Sequence, residues 1–223
     1  MRNRVAIVAG ATGLIGREVV NELLARQNYG KVIALVRMPR EEWDGACIQL
    51  QTDYSFESLE VQLEPYLPGA HLFCCLGTTI KTAGTRERFK AVDYEYPMRL
   101  GRVAESYQAS QFAIVTAIGA DARSGVFYSR VKGEVEQDLM RLRLPALHLF
   151  RPSLLLGSRA EFRLGERAAM GLLLMISPLL AGPLRPYKPI AAERVARAMV
   201  RAALSERQGS HVYTYDQMIA LNE

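Results

Sequence analysis

Cysteine is scarce. Cys47, Cys74 and Cys75 are the only three among 223 residues, and two of them are adjacent within an apolar run. That spacing builds neither a disulfide framework nor a metal site, and it leads to the expectation of a reduced, cytoplasmic protein. Histidine is equally sparse, and His71, His148 and His211 stand far apart along the chain, which argues against a metal centre or a catalytic triad. The apolar run in MRNRVAIVAGATG is too short for a signal-peptide core and passes directly into a structural motif, so export is not expected. Nor does any stretch reach the roughly 20 apolar residues of a membrane span. The most apolar one, MGLLLMISPLLAGPL from Met170, is shorter and is broken by Pro178 and Pro183. The net charge of +5 would suit a phosphate-bearing partner, but the 28 Lys and Arg are scattered among 23 Asp and Glu and form no basic block, which argues against nucleic acid.

Hydrophobic residues make up 49% of the chain and charged residues 23%, enough to bury a core without external staples. Apolar runs at Val5–Ala9, Lys31–Val36, Ala46–Leu50, Ala70–Leu76, Phe112–Ala117 and Ala146–Phe150 read as buried strands. Helical spacing over Leu14–Gln27, Arg86–Tyr107 and Val126–Leu142 separates them. Alternation of this kind predicts a doubly wound, mostly parallel α/β sheet with helices on both faces, in one domain spanning residues 1–223. After Phe150 the pattern loosens, and residues 151–190 are expected to form a substrate-side region. A helix over Ala192–Leu204 and a strand within HVYTY, His211–Tyr215, close the chain.

The first strand runs into GATGLIG and then into a helix. Gly10, Gly13 and Gly16 therefore occupy the strand-to-helix turn, where a missing side chain lets backbone approach a pyrophosphate and the N–H groups of Thr12, Leu14 and Ile15 face its charge. Glycines that merely make a turn are the plainer alternative, but the position between strand and helix favours the phosphate site. Cofactor choice is read at the end of the second strand, where an NAD site carries an acid on the ribose hydroxyls. Here KVIALVR puts Arg37 at that place, with Arg40 close behind. A guanidinium fits a 2′-phosphate, so NADP(H) is the expected cofactor.

With GATGLIGREVV, FCCLGTTIKTAG, FKAVDYEYP, GADARSGVFYSRVKGEVEQ, LFRPSLLLG and RPYKPIAAERVARAM in that order, the chain resembles the short-chain dehydrogenase/reductases. More closely, it resembles their atypical members of the Tat-interacting oxidoreductase-like family. The resemblance implies that Asp53 approaches the adenine, the alternative being a turn aspartate that caps a helix starting near Ser55. It further implies that Leu76, Gly77 and Thr78 pass along the ribose, and that Pro152 and Ser153, after Arg151, meet the nicotinamide carboxamide.

Tyr128 and Lys132 stand one helical turn apart, so both share a face. A neighbouring ammonium favours the phenolate of a tyrosine that is otherwise a poor acid or base at neutral pH. In the family's mechanism the coenzyme delivers hydride to a carbonyl carbon, Tyr128 donates the proton and Lys132 also holds the nicotinamide ribose. The family's serine on the fifth strand is replaced. If it aligns with Thr116 a hydroxyl remains, and if it aligns with Ala117 the donor is missing, at a cost of about a hundredfold or more in rate. The stretch 170–184 reads as the wall of an apolar pocket, a self-association surface that would make a homodimer, or core. These observations predict an NADPH-dependent reductase of a small, apolar carbonyl compound. The alternatives are a non-catalytic NADPH-binding sensor or interaction module, and nucleotide-sugar or isoprenoid-type chemistry, for which no specific residue speaks.

Overall fold

Apolar runs that alternate faces in a strand must be covered on both sides, and they are. In the computed structural model, which describes residues 4–156 and 182–223, the strands β1 (Val5–Ala9), β2 (Lys31–Val36), β3 (Ile48–Gln51), β4 (His71–Cys74), β5 (Gln111–Val115) and β6 (Ala146–Phe150) join β9 (Gly209–Tyr213) in one sheet. The order is β3-β2-β1-β4-β5-β6-β9, and every pairing is parallel. A two-stranded parallel pair, β7 (Leu155–Leu156) with β8 (Ile190–Ala191), stands apart from it.

Alternation splits the core into two layers. Ala6 and Val8 of β1 face α1 (Leu14–Arg26) and α7 (Ala192–Leu204), with Val19, Val20, Leu23, Val195 and Met199 buried between. Ile7 and Ala9 face the other way, onto α2 (Phe56–Leu63), α5 (Tyr96–Ser106) and α6 (Phe127–Leu139), through Leu59, Leu63, Leu100, Val103, Val135 and Leu139. Each fully buried large side chain contributes about 1.5–3 kcal/mol, so this layering is the main stabilising term. The chain order reverses between β1 and β4, and in an open parallel sheet the crevice at the carboxyl ends beside such a reversal is where ligands bind.

Several boundaries differ from expectation. The helix expected over Arg86–Tyr107 is three pieces: α4 (Arg86–Lys90), a π-helical turn over Ala91–Glu95, and α5. Pro97 has no N–H to offer the carbonyl four residues back, and the Tyr96 N–H instead reaches Ala91 O, an i to i−5 bond. A short α3 (Ile80–Ala83), capped by Thr79, precedes it. The last strand begins two residues earlier than expected and ends at Tyr213, because Thr214 opens a capping box onto α8 (Tyr215–Ala220). A 3-10 turn over Gly182–Tyr187 leads into β8. Among the described residues no helix is long and apolar enough to cross a membrane, and no group of residues could hold a metal ion. Most of the Met170 stretch and of the expected substrate-side region lies outside the described residues.

Candidate active site

The glycine turn leaves β1 at the reversal point. Gly10 has φ +72°, and a Cβ there would sit 2.6 Å from the Cys75 carbonyl oxygen, so only glycine lets the turn cross the end of β4. A Cβ on Gly16 would sit 2.1 Å from Gly10 O, which seats α1 directly against the turn. The Gly13 N–H donates to Gly10 O at 2.9 Å, closing the bend. At the start of α1, Gly13 provides no side-chain cap and the first turn carries no acid. Uncapped N–H groups and an uncompensated helix dipole favour an anion here, so Gly10, Thr12, Gly13, Leu14, Ile15 and Gly16 fit a dinucleotide diphosphate.

Arg37 and Arg40 follow β2 and are exposed. The Arg37 carbonyl accepts the Gln51 amide at 3.0 Å, while neither guanidinium makes an ion pair among the described residues. Asp53 follows β3, where its Oδ1 accepts the Ser55 N–H at 2.9 Å. That bond holds its carboxyl below the usual range, and Ser55 itself caps α2 through the Ser58 N–H. The turn role and an exposed carboxylate thus coexist at Asp53.

On the other side of the turn, α6 carries Tyr128 and Lys132. Tyr128 is half-buried, with its ring centroid 5.6 Å from that of Phe89, and it lies within electrostatic reach of the Lys132 ammonium. Lys132 is 4% exposed and its Nζ sits 2.7 Å from Asp93 Oδ1. Asp93, itself buried, accepts the Thr78 N–H on Oδ2 at 2.9 Å. Burial works against the lysine charge, but Asp93 and then Tyr128 outweigh it and hold the ammonium above the ordinary lysine range. Gly77 lies between these groups, and a Cβ there would be 3.5 Å from Asp93 Oδ1 and 3.7 Å from Lys132 Nζ. Leu76, Gly77 and Thr78 therefore run from the glycine turn to the Tyr128–Lys132 face. Asp93 went unread in the sequence. Its signal was an acid directly after the apolar pair Ala91 and Val92, four residues before a proline.

The fifth strand departs from expectation. Thr116 is 5% exposed, and its hydroxyl donates to the Glu136 carboxylate, with the Phe150 carbonyl 3.2 Å away. Glu136 is also held by Arg151, whose Nε lies 3.0 and 3.1 Å from the two carboxylate oxygens. A hydroxyl has one proton, and here it is spent inside the protein. The Thr116 hydroxyl, expected to hydrogen-bond the substrate oxygen, here ties the end of β5 to α6, and Ala117 has no hydroxyl to offer. Pro152 is buried and its carbonyl accepts the Ile118 N–H at 2.8 Å, while the Ser153 hydroxyl donates to the Lys188 carbonyl. The Ser153 side chain thus turns toward the segment entering β8.

A parallel β3-β2-β1-β4-β5-β6 sheet with a glycine turn at its reversal point is the architecture of an NAD(P)-binding Rossmann protein of the short-chain dehydrogenase/reductase type. Its fold matches that of WbmH from Bordetella bronchiseptica, solved in complex with NAD+, with a TM-score of 0.71 at 14% identity over 96% of this chain and 76% of that one. Protein HTATIP2 of Rattus norvegicus is 33% identical over 168 residues, 74% of this chain and 69% of its own. Protein FMP52-1, mitochondrial, of Scheffersomyces stipitis is 31% identical over 157 residues, 69% of this chain and 68% of its own. No family model matches the chain. The chain belongs to the HTATIP2 and FMP52 family of atypical short-chain dehydrogenase/reductases. The cytoplasmic expectation is overturned by these relatives, since the FMP52 proteins are mitochondrial by name. Few cysteines report the absence of a disulfide framework, which is a statement about redox state and not about compartment.

Proposed function

We propose that the chain is an NADP(H)-dependent oxidoreductase acting on a small carbonyl compound with an apolar body. The observation that carries the reading is the buried Lys132 ammonium beside Tyr128, joined through Gly77 and Thr78 to a glycine turn shaped for a diphosphate. Bound NADPH would supply the hydride. The turn amides of residues 12–16 hold the diphosphate, Arg37 meets the 2′-phosphate and Asp53 lies on the adenine side. Lys132 keeps its charge through Asp93, orients the ribose and stands beside Tyr128. Tyr128 gives its proton to the substrate oxygen and regains one from water. The segment around Pro152 and Ser153 borders the nicotinamide.

A second reading is favoured by one observation. With the Thr116 hydroxyl spent on Glu136 and alanine at 117, the end of β5 offers no free hydroxyl to the oxygen of a substrate, which suits an NADPH-binding sensor or interaction module. The two readings separate in NADPH oxidation against aldehydes, ketones and quinones. The oxidoreductase predicts turnover that falls about a hundredfold or more in Tyr128→Phe with NADPH affinity retained. Wild type and variant that both bind NADPH yet turn nothing over leave the sensor.

Coenzyme choice is tested apart from chemistry. Arg37→Ala should weaken NADPH binding about tenfold or more, the worth of a charge-assisted hydrogen bond, and leave NADH binding unchanged. Equal losses for both coenzymes, or none, would remove Arg37 from this role.

A further inference from the structure

Where β1 ends, the Gly10 N–H has turned away from the strand ladder and needs an acceptor. It finds the Tyr54 hydroxyl at 3.2 Å. That same oxygen lies 3.5 Å from the carbonyl of Leu35, the residue paired with Ala9 in the last register of β1 on β2. The phenol thus bridges two strands at the point where their ladder stops and the glycine turn begins. Tyr54 itself is held by a ring of contacts. It is 4% exposed, adopts φ +63°, and its N–H donates to Thr52 Oγ1 at 3.0 Å. Its ring stacks on Tyr96, centroids 5.2 Å apart and planes 15° from parallel. Arg99 lies 5.6 Å from the Tyr96 centroid and donates to the Tyr54 carbonyl at 3.1 Å. A left-handed tyrosine is strained and persists only where the surroundings over-determine it, a pattern concentrated at functional sites. Here the strain is spent on aiming one hydroxyl at one amide of the turn.

We propose that Tyr54 is a positioning residue of the phosphate turn, pinning the Gly10 amide so that the neighbouring N–H groups stand pre-aimed at a diphosphate. The inference rests on the dinucleotide reading of that turn. Tyr54 touches no part of the diphosphate itself. It acts through Gly10, and it couples the turn to α5 through Tyr96 and Arg99.

The test is Tyr54→Phe, which keeps the stack and removes the oxygen. NADPH affinity by calorimetry should fall about three- to tenfold, the worth of one neutral hydrogen bond. Binding of adenosine 2′-monophosphate, which has no phosphate to lay on the turn, should stay the same. In the wild-type chain the Gly10 amide should exchange with solvent about tenfold or more slowly than the Thr12 amide, and in Tyr54→Phe that protection should be lost. Unchanged NADPH affinity in a variant whose wild type binds NADPH overturns the proposal, as does a Gly10 amide that exchanges fast in the wild-type chain even if the variant does not fold. A wild type that binds no NADPH while Gly10 is protected by Tyr54 strikes the dinucleotide reading and leaves the pin standing.

Discussion

Replacing Asp93 with leucine should lower the free energy of unfolding by about 3–5 kcal/mol at pH 7, the cost of stranding one member of a buried ion pair. The ammonium left behind is that of Lys132, only 5% of whose side chain is exposed. The Thr78 N–H loses its acceptor in the same step. Without its partner, Lys132 is governed by burial, which lowers the pKa of a lysine in the folded chain while the unfolded chain keeps the ordinary value of about 10.4. The unfolded variant then holds a proton that the folded variant sheds, so its stability should climb as pH rises from 7 toward 10, with wild type changing less. Urea unfolding at both pH values reads this directly. The double variant Asp93→Leu with Lys132→Met should recover most of the loss, because an apolar pair of similar volume replaces the charges. A single variant as stable as wild type at pH 7 would mean that the 2.7 Å contact is no ion pair in solution.

This pair also marks where reading residues in a row stops working. The strands were legible because a strand covered on both faces has to be a continuous apolar run, and the glycine turn was legible because its three glycines fall between strand and helix. Arg37 could be read for the same reason, since its place is fixed by the end of β2. Asp93 could not. Apolar spacing in FKAVDYEYPMRL describes one helix, whereas the i to i−5 closure before Pro97 adds a residue to the turn, and the carboxylate ends up against Lys132 and Thr78. Thr116 was readable as a hydroxyl at the end of β5, but not as one already bonded to Glu136, because that depends on where Glu136 and Arg151 come to rest. Tyr54 hides for a similar reason: a left-handed tyrosine after a strand has no sequence mark.

The three histidines, isolated along the chain, all fall on strands of the sheet. His71 opens β4 in register with Gln111 of β5, and His148 of β6 pairs with His211 of β9. His71 Nδ1 lies 2.9 Å from the Tyr29 hydroxyl, and Arg4 faces it as a charge. His148 is fully buried, with Nε2 2.8 Å from Gln111 Oε1 and Nδ1 2.9 Å from the Tyr213 hydroxyl. Since the amide oxygen can only accept, Nε2 carries the proton and Nδ1 accepts the phenol, which satisfies the neutral ring on both sides. Around it stand His211 at 5.6 Å between ring centroids and, more distantly, the Arg207 charge. Burial first, then these neighbouring positive groups, lower His71 to about 3 and His148 to about 4. Their unfolded value is about 6.5, so the unfolded chain takes up these protons first. Stability is therefore fully present above pH 6.5 and is lost as pH falls toward 4 and 3. Holding two rings neutral at pH 5 costs roughly 2 kcal/mol each, about 4 kcal/mol against a typical total of 5–15. Urea unfolding between pH 7.5 and 5 should show that fall, with a slope near pH 5 of about 2.7 kcal/mol per pH unit, the signature of two protons taken up on unfolding. His148→Gln should halve the slope. A stability that stays level over this interval would mean that both rings charge freely in the folded chain, with water reaching His71 and His148.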